Sequence, residues 1–310
     1  MDFEASQRAA PLPIAWARIA AFFALAMVLT HSGMALYLRQ GGATDTMGAS
    51  GFGAVFMRWC PGFLALIFQR FVTRQPLRVL LSLDVRPNRW FVVAWLVPVA
   101  WFLLILALTL LLPGARYTPD LSGLREHFVG TTDTELAQAR AQVSSLPLSP
   151  LFVLTLAALV LGPTMSTLAA LGEEVAWRGW LLRELSPLGF LRAMTWTAVF
   201  QYVWHVPFLF EGFMYPGHIA YGMVAMLAWL LGMSFVTTYV AVRARSVWAA
   251  AIFHGAAGAA GPLVAALYAG GPYYLAGETG VMGLVALLPF VLGCWLHDRF
   301  GSGAPLLVWR

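Results

Sequence analysis

Two adjacent carboxylates, Glu173 and Glu174, stand in the segment Leu171-Gly-Glu-Glu-Val-Ala-Trp-Arg-Gly-Trp180, directly after an apolar run. Ionisable side chains inside or beside such runs are expensive and persist where they have a partner or a task. Arg178 follows Glu174 by four residues, which puts both on one helical face. Its guanidinium would fix that carboxylate in place. Glu173 projects roughly 100° further round the helix and is left free to take a proton as a general base. Two histidines extend the set: His205 ends Thr197-Ala-Val-Phe-Gln-Tyr-Val-Trp-His205, and His254 ends Ser246-Val-Trp-Ala-Ala-Ala-Ile-Phe-His254. Each lies within its own apolar run. A lone imidazole on an apolar helix is usually a hydrogen-bonded packing residue. Two of them with a twin carboxylate form a set able to activate water. Glu173, His205 and His254 could also serve as three zinc ligands that leave one coordination position open. The soluble zinc-protease box His-Glu-x-x-His is absent from the sequence. His31, His127, His218 and His297 are weaker candidates, each without a carboxylate pair nearby.

Such groups can meet only if membrane helices carry them together. The 310-residue chain is 60% hydrophobic and 11% charged, with a mean hydropathy of +0.75. Soluble domains carry roughly 25% charged residues, so a water-soluble enzyme, a disordered chain and a disulfide scaffold are excluded. The class expected is all-α and polytopic. A bilayer crossing needs about 20 mostly apolar residues. Eight stretches qualify: Ile19–Tyr37, Trp59–Val72, Trp90–Leu112, Leu151–Leu171, Ala193–Phe210, Ile219–Val242, Val247–Ala269 and Val281–Leu296. The carboxylates then fall at the end of the fourth, and the histidines in the fifth and seventh. Arg58 borders the second and is expected to snorkel to the interface. The seventh is rich in Gly and Ala and should pack against other helices.

The 19 basic residues are all arginine. With both termini cytoplasmic, outer segments hold five of them (Arg39, Arg58, Arg116, Arg125 and Arg140) and inner segments the remaining fourteen, Arg8 and Arg310 included. That asymmetry fits the positive-inside rule. It accounts for the net charge of +5 without a nucleic-acid partner. Cys60 and Cys294 form no Cys-x-x-Cys pair and read as small apolar residues. Residues 113–150 form the longest polar stretch, placed outside the membrane, with a short helix over Thr134–Val143. It is a solvated connector or, as the sharper reading, a lid.

Taken in order, the three segments resemble the CAAX-protease and bacteriocin-processing family of intramembrane endopeptidases. That family carries Glu-Glu-x-x-x-Arg, Phe-x-x-x-His and His-x-x-x-Asn on separate membrane helices. The first is complete here as Glu173-Glu174-Val-Ala-Trp-Arg178, and Ser246-Val-Trp248 resembles the lead-in to the third. Residues 151–268 carry the likeness within a single membrane domain spanning 1–310, and Trp59–Pro61 is similar to an earlier feature of the family. Two positions depart from it: Gln201 stands where the family has Phe, and Gly258 where it has Asn or Asp.

The resemblance implies hydrolysis of a peptide bond in a membrane-anchored protein or peptide. Glu173 and His205 would activate water, and His254 would steer it or stabilise the oxyanion. Glu174 and Arg178 would orient the helix, with Gln201 or an arginine supplying the donor that Gly258 lacks. The site is expected to be metal-free, with zinc on Glu173, His205 and His254 as the alternative. The location implied is the inner membrane of a bacterial cell. A non-catalytic immunity or peptide-binding protein of the same family is the rival reading, favoured by Gly258. A proton-coupled carrier is a second rival, since Glu and His form relays in such proteins, although no internal repeat supports it.

Overall fold

A computed structural model describes residues 13–40, 52–128 and 131–307; Arg8 and Arg310 lie outside them. Eight long helical runs account for most of the molecule. They are α1 (Trp16–Arg39), α2 (Phe52–Ile67, extended by a π-turn over Phe68–Val72), α3 (Arg89–Thr109), α4 (Pro150–Leu188), α5 (Phe190–Phe210), α6 (Ile219–Ala244), α7 (Val247–Leu267) and α8 (Val281–Leu296, extended by His297–Gly301). All but α5 contain a stretch long and apolar enough to cross a membrane, giving seven such spans among the described residues. The helix α5 has 21 residues, about 31 Å at 1.5 Å per residue. Arg192, Gln201 and His205 lower its hydropathy. The sequence counted it as a span by length, whereas composition sets it apart.

The polar cues that start these helices are local. Ser149 accepts a hydrogen bond from the Phe152 amide ahead of Pro150, Asn88 from the Trp90 amide, and Ser246 from the Trp248 amide. Each satisfies one of the orphan donors of a first helical turn. Arg245, at φ +59°, takes the left-handed conformation that closes α6, and α7 begins two residues later, after Ser246. Prolines sit inside α2, α3, α5, α7 and α8, as spanning helices tolerate.

The expected end of the fourth span at Leu171 is too early. The helical run continues to Leu188, interrupted by π-turns at Gly162–Ser166 and Val175–Leu181. Glu173 and Glu174 therefore lie inside a long helix and not at its mouth. Hydropathy drops at the charges, but the charges satisfy one another and the helix goes on. Arg18 of α1 pairs with Glu184 near the far end of α4 and ties the two together.

The seventh span occupies the middle of the bundle, as its Gly and Ala content predicts. Its most apolar window is 61% buried, against 17% to 39% for the six other spans. Val28, Phe63, Leu156, Val224 and Leu288 on surrounding helices are exposed, the dress of a lipid-facing surface. Outside the bundle, residues 116–117 pair antiparallel with 268–269. A helix over Asp133–Ser144 opens with a reciprocal cap between Thr132 and Glu135.

Candidate active site

The carboxylates of α4 reach their partners because backbones approach closely at glycine. A Cβ on Gly172 would lie 2.6 Å from the Arg58 carbonyl and 2.7 Å from the Trp59 Cα, so only glycine lets α2 lie against α4 there. The Trp59 indole adds a hydrogen bond to the Leu168 carbonyl. On the other side, a Cβ on Gly255 would lie 2.7 Å from the Thr167 Cα, and one on Gly162 2.8 Å from the Ala256 Cα. These contacts lock α7 onto α4 one residue beyond His254. Small residues at helix crossings are the usual means of close packing in lipid.

Glu173, Glu174, Arg178, Gln201, His205 and His254 all line one cavity of about 120 Å³. It has room for several waters, given that one water takes roughly 30 Å³ of liquid. Arg58 lines it too. Met57, Met226, Met233, Trp229 and Leu230 form apolar wall, and Phe213 and Met214 belong to the connector after α5. That connector, residues 211–218, touches the cavity; none of the described residues of 113–149 lines it.

Glu174 is fully buried and forms the hub. Its Oε1 accepts from Arg178 Nη1 at 3.0 Å and from His254 Nδ1 at 2.8 Å. Arg178 Nη2 donates to the Ser234 hydroxyl of α6 at 3.2 Å. Three helices, α4, α6 and α7, thus meet around Glu174 through hydrogen bonds. The spacing of four residues made the Glu174–Arg178 pair legible; the His254 bond was not, because it depends on how α7 crosses α4.

Glu173 is also buried, with 3% of its side chain exposed. Its Oε2 has no hydrogen-bond partner, and its Oε1 lies 3.8 Å from Arg58 Nε. The sequence sent Arg58 to the membrane interface. It instead turns inward, because the Gly172 crossing brings its turn of α2 against the carboxylate.

His205 Nδ1 donates to the Gln201 carbonyl at 2.8 Å, and the ring stacks on Phe213 with centroids 6.0 Å apart. Both cavity histidines therefore spend the Nδ1 proton on a fixed acceptor. In the neutral ring Nε2 then carries a lone pair. The remaining histidines make contacts elsewhere: His31 with the Trp204 carbonyl, His127 with the Tyr268 carbonyl, His218 with Tyr274, and His297 with Tyr239. Cys60 and Cys294 are free thiols.

Among the described residues no group of three His, Cys, Asp or Glu side chains is placed to hold a metal ion, although Glu173, His205 and His254 share the cavity.

Against models of protein families, residues 149–260 match the one described as Type II CAAX prenyl endopeptidase Rce1-like. No curated protein matches the chain. The matched stretch contains Glu173, Glu174, Arg178, Gln201, His205 and His254, and leaves out the helix that carries Arg58.

Proposed function

We propose, for a chain whose residues 149–260 form an Rce1-like domain of the CAAX-protease family, that it is an intramembrane endopeptidase acting on a membrane-anchored protein or peptide. The observation that carries this reading is the Oε2 of buried Glu173, unpartnered among the described residues, in a cavity of about 120 Å³ shared with His205 and His254. A buried carboxylate oxygen without a donor is costly to keep, and a water beside it is the natural donor. That water gives a proton to Glu173 while a lone pair on His205 Nε2 orients it. Its oxygen bonds to the scissile carbonyl carbon, and the carbonyl π pair moves onto oxygen. As the intermediate collapses, the C–N bond breaks and the amine nitrogen takes the proton back from Glu173. His254, steadied by Glu174, gives the water a second acceptor. Around side chains as buried as Glu173 and Glu174 each of these electrostatic contributions exceeds its value in solution.

No step is routed through a metal. Activity is expected to survive chelation, and purified protein to hold no stoichiometric zinc. Zinc at one per chain, with loss of activity on its removal, would reverse that assignment. The arginine asymmetry further supports both termini lying in the cytoplasm.

The deciding experiment is quantitative mass spectrometry of membrane peptides from cells carrying wild-type protein or Glu173→Gln. Peptides whose maturation stops with Glu173→Gln identify the activity and the substrate together. One observation favours the rival reading of a non-catalytic peptide-binding or immunity protein: a Cβ at Gly258 would meet nothing within 4 Å. This position, one turn beyond His254, offers no donor to a reacting carbonyl. Full biological function in Glu173→Gln cells would establish the rival.

A further inference from the structure

The reaction moves negative charge. In the resting site it sits on Glu173; once Glu173 has taken the water's proton, it sits on the carbonyl oxygen. Stabilising that oxygen needs a donor with a free N–H at the cavity. Several groups line it. Arg178 has Nη1 on Glu174 and Nη2 on Ser234; its Nε and the Trp229 Nε1 are buried without a hydrogen-bond partner among the described residues, but neither side chain faces the Glu173 charge in an ion pair. His205 and His254 hold their Nδ1 protons on Gln201 and Glu174, so their neutral rings offer acceptors at Nε2. Gly258 has no side chain to give.

Arg58 differs. Its nearest acid among the described residues is Glu173, at 3.8 Å, beyond the distance of a hydrogen bond. Its N–H groups are thus uncommitted, and with 24% of the side chain exposed it has freedom to shift. It lines the same cavity as Glu173, His205 and His254.

We propose that Arg58 is a catalytic residue: its guanidinium faces the Glu173 carboxylate at rest and takes the tetrahedral oxyanion as Glu173 becomes protonated. The inference rests on the hydrolase reading above. Its chemistry is a change of ionic partner. The hydroxide oxygen bonds to carbon, the π pair moves to the carbonyl oxygen, the proton stays on Glu173, and Arg58 loses one anion as it gains another. An interaction made in the transition state and absent from the bound substrate raises kcat without tightening binding. Gln201, whose side-chain amide also lines the cavity, is the neutral competitor for this task.

The test uses the full chain in proteoliposomes and, as probe, a synthetic copy of a peptide whose maturation requires Glu173 in cells. Arg58→Gln should lower kcat by about 10²–10³-fold, the usual cost of one oxyanion donor, with KM nearly unchanged. Arg58→Lys should recover part of the loss, and methylguanidinium added to Arg58→Ala should restore turnover. In a Gln201→Leu background, Arg58→Gln should still lower kcat by the same factor. A purely structural Arg58 would not respond to added guanidinium. The inference is overturned if Arg58→Gln turns over at the wild-type rate, if the loss appears in KM alone, if Arg58→Gln costs nothing further in the Gln201→Leu background, or if methylguanidinium fails to rescue folded Arg58→Ala. In each of those outcomes Glu173-dependent cleavage still stands. If no peptide in the cell depends on Glu173, the hydrolase reading itself falls and takes this inference with it.

Discussion

Removing Arg178 would leave Glu174 as a fully buried carboxylate whose remaining partner among the described residues is the imidazole of His254. Deleting one partner of a buried ion pair typically costs about 3–5 kcal/mol, because the other charge stays behind unpaired. Arg178→Met should therefore lower the unfolding temperature sharply, measured on purified protein in detergent. Adding Glu174→Gln should recover part of the loss, since the stranded charge goes with it. A double variant less stable than Arg178→Met would contradict the pairing. This pair was readable in the amino-acid sequence because its geometry is that of one helix: four residues, one face. The acceptor of His254 was not readable. The family resemblance gave that imidazole the water or the oxyanion; that its Nδ1 rests on Glu174 is set by the angle at which two helices cross. Arg58 was misplaced for a related reason, since hydropathy sees distance from a helix end and is blind to the neighbouring helix.

Helix crossings in lipid gain nothing from the exclusion of water and rely on close backbone contact, so the glycines at those crossings should control the site from a distance. Gly172 and Gly255 meet main-chain atoms within 2.7 Å of an added Cβ. Overpacking a tight interior typically costs about 1–3 kcal/mol. Gly172→Val should loosen α2 from α4, reducing stability by that amount and abolishing Glu173-dependent cleavage as Arg58 and Glu173 part. Gly255→Val should act likewise on His254. Gly258→Ala is the control, because the space beside it is open; its stability should stay within about 0.5 kcal/mol of wild type, as for most substitutions away from packed features. Thermal melts of the three variants rank them, and equal losses at all three would refute the crossing argument. Segment by segment, the helices were legible from hydropathy, and the Gly- and Ala-rich seventh span predicted its central position. The length of α4 escaped notice because a buried ion pair lets a helix run on through charges that look like its end.

At the scale of the whole molecule, one carboxyl outside the spans links the bundle to pH. Glu278 lies in the connector between α7 and α8, with Oε2 beside Gly261 of α7 and with the Tyr215 and Tyr268 phenols close enough to feel its charge. Burial raises its pKa from the ordinary 4.5 to about 7. The folded protein then binds this proton more tightly than the unfolded chain does, and between those two values stability falls as pH rises. Below pH 4.5 both states are protonated and the neutral carboxyl is tolerated in its buried place; above about 7 the folded state must carry a buried charge. Wild-type protein should therefore melt at progressively lower temperature as the buffer is taken from pH 5 to pH 7, and Glu278→Gln, neutral throughout, should lose most of that slope. Nothing in the sequence marks Glu278. It stands alone in a glycine-rich stretch without a partner at helical spacing, and its environment is created by α7 and by the connector bearing Tyr215, elements distant in the chain. If Glu278→Gln retained the full slope, the pH response would belong to another group, and not to His127: burial holds that imidazole below its usual value at the same end of α7, a shift that makes stability rise with pH.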